Sequence, residues 1–95
     1  MLKEIKRKLK NIQPDLQKKY GVSKIGVFGS FSRGDEIRNS DIDILVEFDK
    51  DIDIFEFIAL KDFLSEFLSR KIDLVTEDAI KPLMKEDIMK EVVYI

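Results

Sequence analysis

"GSFSRGDEIRNSDIDILVEF", residues 29–48, decides both how this chain folds and what chemistry it can carry. Its second half alternates. Ile42, Ile44, Val46 and Phe48 fall on one face of an extended segment, with Asp41 and Asp43 on the other. Its first half is a turn flanked by Gly29 and Gly34. Aspartate is a poor strand former, and two carboxylates about 4 Å apart at an effective dielectric near 20 repel by roughly 4 kcal/mol. A neighbouring cation, a proton or a divalent metal ion has to offset that charge.

Upstream of this stretch, "SKIGVFG" reads as a short buried strand that runs into the turn. Before it, Leu2, Ile5, Leu9, Ile12, Leu16 and Tyr20 recur at helical spacing and predict an amphipathic helix. Pro14 is expected to kink that helix or to start its second half, and Gly21 stands where a left-handed terminating residue belongs. Downstream, Asp53 and Glu56 form a capping-box pattern ahead of a helix whose core side carries Phe57, Leu60, Leu64, Phe67 and Leu68. "KIDLV" is a third strand, containing Asp73; Asp78 is expected to cap a turn. Pro82 suits the first position of a last helix along Met84, Ile88 and Val92. The order helix, strand, strand, helix, strand, helix predicts an α/β (α+β) fold in one domain spanning residues 1–95.

Composition removes whole classes of chemistry. With no Cys and no His, disulfides, thiolate metal sites, zinc hydrolysis and serine–histidine triads are all excluded. Any metal must be held by oxygen, which points to magnesium, manganese or calcium. The net charge of -2 argues against a strongly basic nucleic-acid-binding face. Lys3, Lys6, Arg7, Lys8 and Lys10 crowd one segment, as a local basic patch or as a solvated helix face. No apolar run reaches the roughly 20 residues needed to span a bilayer, so a cytoplasmic protein without a membrane partner is expected.

The glycine turn fails the two common phosphate-loop patterns. Asp35 and Glu36 follow Gly34 where a Walker A loop needs Lys and Ser/Thr, and G-x-G-x-x-G is missing. What remains is a turn leaving a strand at Gly29, where an absent side chain lets a phosphate approach backbone N–H groups. The acids add to this. If the strand holding Asp73 pairs beside the one holding Asp43, about 4.8 Å away, three carboxylates converge. With two divalent ions they would form the clamp used for in-line phosphoryl or nucleotidyl displacement.

Gly29-Ser30, then ten residues, then Asp41-Ile42-Asp43 resembles the signature of the polymerase-beta-type nucleotidyltransferase superfamily. Within it, "FGSFSRGD", "SDIDILVEF", "KIDLVTEDAIKP" and "EDIMKEVVYI" are similar to the minimal nucleotidyltransferases, the MNT-domain antitoxins. The resemblance implies the nucleotidyltransferase fold, a small mixed β-sheet flanked by helices, with ATP as substrate and two Mg²⁺ ions as cofactors. It implies that Gly29 and Ser30 hold the β- and γ-phosphates, that Asp41 and Asp43 bind both metal ions, and that Asp73 binds one. Asp73 would also accept the proton of the acceptor hydroxyl. Arg33 would neutralise phosphate charge, or pair with Asp35 or Glu36; Ser40 would touch a phosphate, or end the loop.

Relatives with larger chains add domains that recognise base and acceptor, whereas here the catalytic elements take up the sequence. The resemblance supplies a partner instead: a small helical HEPN-domain ribonuclease toxin. Its antitoxin moves AMP from ATP to a tyrosine hydroxyl of that toxin. Two other classes compete with this reading: a module that neutralises the toxin by contact alone, and a nucleotidyltransferase acting on a small molecule. Direct nucleic-acid binding is not expected. Self-association through Phe31 and Phe63 competes with simple core packing of both rings.

Overall fold

In the computed structural model, which describes residues 1–95, the N-terminal apolar stripe forms one helix, α1 (Leu2–Tyr20). Pro14 lies inside α1 and does not start a second helix. A proline there removes one N–H from the helix ladder, but Leu9 and Leu16 are fully buried on either side, and docking of the stripe carries the helix through. Gly21 ends α1 in the left-handed region, at φ 72°, with its N–H donating to Gln17 O.

The chain continues through β1 (Val22–Phe28), the one-turn helix α2 (Ser30–Arg33) and β2 (Ile42–Phe48). Then come α3 (Ile54–Leu68), β3 (Ile72–Thr76), a 3-10 turn (Glu77–Ala79), α4 (Pro82–Glu91) and β4 (Val93–Tyr94). The predicted capping box opens α3. Glu56 N–H donates to Asp53 Oδ1 at 2.8 Å, and Asp53 N–H to Glu56 Oε1 at 3.4 Å. Asp78 lies within the 3-10 turn, so it does not cap it; the turn's N-cap position is Thr76.

The sheet order is β3-β2-β1-β4. β1 runs antiparallel to β2 and β4, while β2 and β3 are parallel and joined by α3, as a parallel pair requires a crossover. One face is packed by α1 and α3: Ile5, Leu9, Leu16, Leu60 and Leu64 meet Ile25, Val27, Ile42, Ile44, Val46, Ile72 and Leu74. The alternation of β2 therefore puts Asp43 on the opposite face. There the cover is thin: Phe28, Leu45 and Ile80 with Ile88, Met89 and Val92 beside them.

One difference from expectation concerns the chain's end. The last helix stops at Glu91, and Val93–Tyr94 pair with β1 instead of extending it. The β-branched Val92-Val93 pair suits a strand better than a helix turn. Phe31 is fully buried, and Phe63 is half-buried, with its ring 6.0 Å from Tyr20 and Phe67. Both rings pack into the core, the reading that competed with a self-association surface.

Candidate active site

Asp43 and Asp73 are direct register partners on the parallel strands β2 and β3. Both project from the thinly covered face, because Ile42, Ile44, Ile72 and Leu74 fill the other. Burial, then the negative charge of Asp73, raises the Asp43 carboxyl to about 6; Asp41 adds a smaller push and Arg33 a smaller pull downward. The chain itself thus leaves the charge of this pair largely uncompensated.

Gly29 closes over the pair from the end of β1. Its φ of 72° and ψ of -149° are backbone angles that a side chain resists. A Cβ added there would lie 2.0 Å from Asp43 Oδ2. The glycine is therefore required first by the aspartate beneath it. The Gly29 N–H donates to Glu91 Oε1 at 2.9 Å. Arg33, at the end of α2, pairs with Asp35 Oδ2 at 3.2 Å and with Glu91 Oε2 at 3.2 Å. The hydrogen bond to Asp35, then that to Glu91, holds the Arg33 guanidinium above its ordinary pKa.

These groups border a cleft of about 510 Å³ between the sheet and α4. Gly29, Arg33, Asp43, Asp73, Lys81 and Glu91 form its polar side; Phe28, Val75, Ile80, Met84 and Ile88 form its apolar side. The rest of the expected set lies elsewhere. Asp41 is exposed just ahead of β2 and, with Ser40, borders a separate hollow beside Arg38, Arg70 and Lys71. It is near enough to repel Asp43, yet no three acids stand together as one metal-holding group. The expected convergence of Asp41, Asp43 and Asp73 is therefore a pair with a neighbour. Asp73 is the acid that pairs and Asp41 the one set apart.

Ser40 Oγ accepts the Ile37 N–H at 2.9 Å, which closes the loop before β2 and fits the second of its two readings. Ser30 opens α2, half-buried, and is not among the residues bordering the cleft. Sequence reasoning missed Lys81 and Glu91. Each follows or precedes a recognisable helix feature, but nothing in the sequence ties residue 91 to a turn 62 positions upstream.

Residues 6–95 match the family model of the nucleotidyltransferase domain. A protein adenylyltransferase of Thermococcus cleftensis, MntA, is 37% identical over 94 residues, covering 99% of this chain and 95% of its own. A solved structure described as a minimal nucleotidyltransferase superposes with a TM-score of 0.80 at 27% identity, over 97% of this chain and 93% of that one. A crystal structure of a toxin–antitoxin with AMP-PNP gives a TM-score of 0.71 at 27% identity, over 88% of this chain and 69% of that one. With its glycine turn and paired aspartates on the same sheet, this chain belongs to the nucleotidyltransferase domain family.

Proposed function

We propose that this chain is an antitoxin that adenylylates its toxin, moving AMP from ATP to a tyrosine hydroxyl of a HEPN-domain partner. The observation that carries this reading is the in-register Asp43–Asp73 pair under the Gly29 turn, with its charge left unrelieved. Similarity to a protein adenylyltransferase, and to a toxin–antitoxin structure holding AMP-PNP, supports the substrate and the partner. Residues 1–95 would act as a single catalytic domain, with acceptor recognition supplied by the toxin.

The donor set fits a hard divalent cation, since it is all oxygen and crowded with negative charge. Asp43 and Asp73 would hold Mg²⁺, with Asp41 as the adjoining ligand. When bound, Mg²⁺ supplies positive charge against the triphosphate. In the reaction the tyrosine oxygen bonds to the α-phosphorus, the bond to the bridging oxygen breaks and pyrophosphate leaves; Asp73 would take the phenolic proton. The Gly29 N–H and Arg33 would orient the phosphates, with Ser30 adding a hydroxyl from the start of α2. The apolar wall of Phe28, Ile80 and Met84 offers an aromatic ring a place to lie beside the reacting atoms.

One observation favours the contact-only reading: the three acids do not yet stand as one group. Incubation with α-labelled ATP, Mg²⁺ and the toxin encoded by the neighbouring reading frame separates the two. Label on the toxin with wild type and none with Asp43→Asn supports transfer. Undiminished neutralisation by an Asp41→Asn/Asp43→Asn double variant supports contact alone. As to location, no helix is long and apolar enough to cross a membrane, and we place the reaction in the cytoplasm, where ATP is available.

A further inference from the structure

We propose that the Glu91 carboxylate is an internal stand-in for a nucleotide phosphate, competing with ATP for the Gly29 N–H and the Arg33 guanidinium. The inference deepens the nucleotidyl-transfer reading and rests on it. Both oxygens of Glu91 are engaged. Oε1 accepts from Gly29 N–H at 2.9 Å and from Arg33 Nη1 at 3.3 Å, and Oε2 accepts from Arg33 Nη1 at 3.2 Å. A phosphate oriented by this turn needs those same donors, one backbone N–H and one guanidinium. A carboxylate satisfies them in the same manner, as an anion with more than one oxygen facing an arginine.

The placement of the side chain is independent of the rest of the residue. Ser32 Oγ donates to the Glu91 carbonyl, and β4, starting two residues later, pairs with β1 through Val27 and Val93. The backbone at Glu91 is thus fixed from both sides. Only its side chain has to turn for the donors to be released. The charge balance of the cleft favours that release. Asp43, Asp73 and Glu91 face only Arg33 and Lys81, and Arg33 is shared with Asp35. A triphosphate entering with Glu91 in place would meet a carboxylate on the donors it needs. The binding-competent state is then the fraction with Glu91 withdrawn, which lowers apparent affinity by that fraction.

The test is the affinity for AMP-PNP with Mg²⁺, measured by calorimetry on wild type, Glu91→Gln and Glu91→Ala. Glutamine keeps the volume and removes the charge; alanine removes both. Both variants are expected to bind about tenfold tighter than wild type, equal to about 1.4 kcal/mol. Folded variants that bind equally or more weakly would overturn the inference, since Glu91 would then be a brace of the turn. Absence of binding in all three proteins would overturn the nucleotidyl-transfer reading itself, and this inference with it. A second measurement needs no variant. In wild type, saturation with AMP-PNP should shift the side-chain carboxyl carbon of Glu91 but not that of exposed Glu47. A Glu91 carbon unmoved at saturation contradicts competition.

Discussion

Gly29 holds together two constraints that no other residue satisfies at once. Its φ of 72° with ψ of -149° already disfavours any side chain, by roughly 1–3 kcal/mol. A Cβ would also lie 2.0 Å from Asp43 Oδ2, so either the turn or the aspartate must move. Gly29→Ala is therefore expected to lower stability by more than that backbone cost and to reduce AMP transfer at least a hundredfold. Urea denaturation beside a label-transfer assay checks both; an active, equally stable Gly29→Ala protein contradicts the geometry. Asp43 makes a related argument through pH. Its folded pKa is raised from 3.8 to about 6, so the folded state binds a proton more tightly than the unfolded chain does. Its contribution is favourable below pH 4 and is lost as pH rises through 6. Removing the charge should then stabilise the protein only at higher pH. Asp43→Asn is expected to raise Tm at pH 7.5 by roughly 4–8 °C, the shift that about 1 kcal/mol makes in a domain this small. The gain should disappear near pH 4 while activity is lost at every pH. A variant less stable than wild type at pH 7.5 would show that the charge is offset after all.

At the scale of elements, α3 shows how local chemistry sets a boundary. The reciprocal Asp53–Glu56 bonds satisfy two N–H groups that the first turn leaves without partners. Asp53→Ala should cost about 1 kcal/mol, seen as a lower urea midpoint at unchanged slope. An unchanged midpoint would mean that packing of Leu60 and Leu64 alone holds the helix start. The cap, the α1 stripe and the β2 alternation were legible because each is written within a few neighbouring residues. Asp43 and Asp73 were legible as partners because strand periodicity fixes the face on which each lies. What escaped the sequence depends on distant chain. β4 has two residues and exists only because β1 offers an open edge. Pro14 starts no second helix, because Leu9 and Leu16 are buried on either side of it and keep α1 whole. Asp41 shares a face with Asp43 in an ideal strand, but β2 begins only at Ile42, and ahead of it the periodicity no longer aims the side chain. Glu91 meets Gly29 only through the return of α4 along the sheet.

Across the whole molecule the two faces of the sheet are covered unequally, and this bears on where the protein opens. The face under α1 and α3 buries a cluster of 15 residues, whereas the cleft face buries a cluster of three. No residue of α4 is fully buried, and Leu83 and Met84 at its start are largely exposed. Local stability follows buried apolar contact, so elements with little of it open well below the global unfolding free energy. Native-state hydrogen exchange should then divide the chain. Amides of Gly26 and Leu45, direct partners in the centre of the sheet, should exchange only through global unfolding. Amides within α4 should exchange much faster, by opening of that helix from the sheet. Because Lys81, Met84, Ile88 and Glu91 border the cleft, binding of AMP-PNP with Mg²⁺ should slow exchange in α4 while leaving that of α1 nearly unchanged. Equal protection of α4 and β2 in the free protein would mean that the thin face is as firmly closed as the thick one. The cleft would then have to admit its nucleotide without any movement of the helix that walls it.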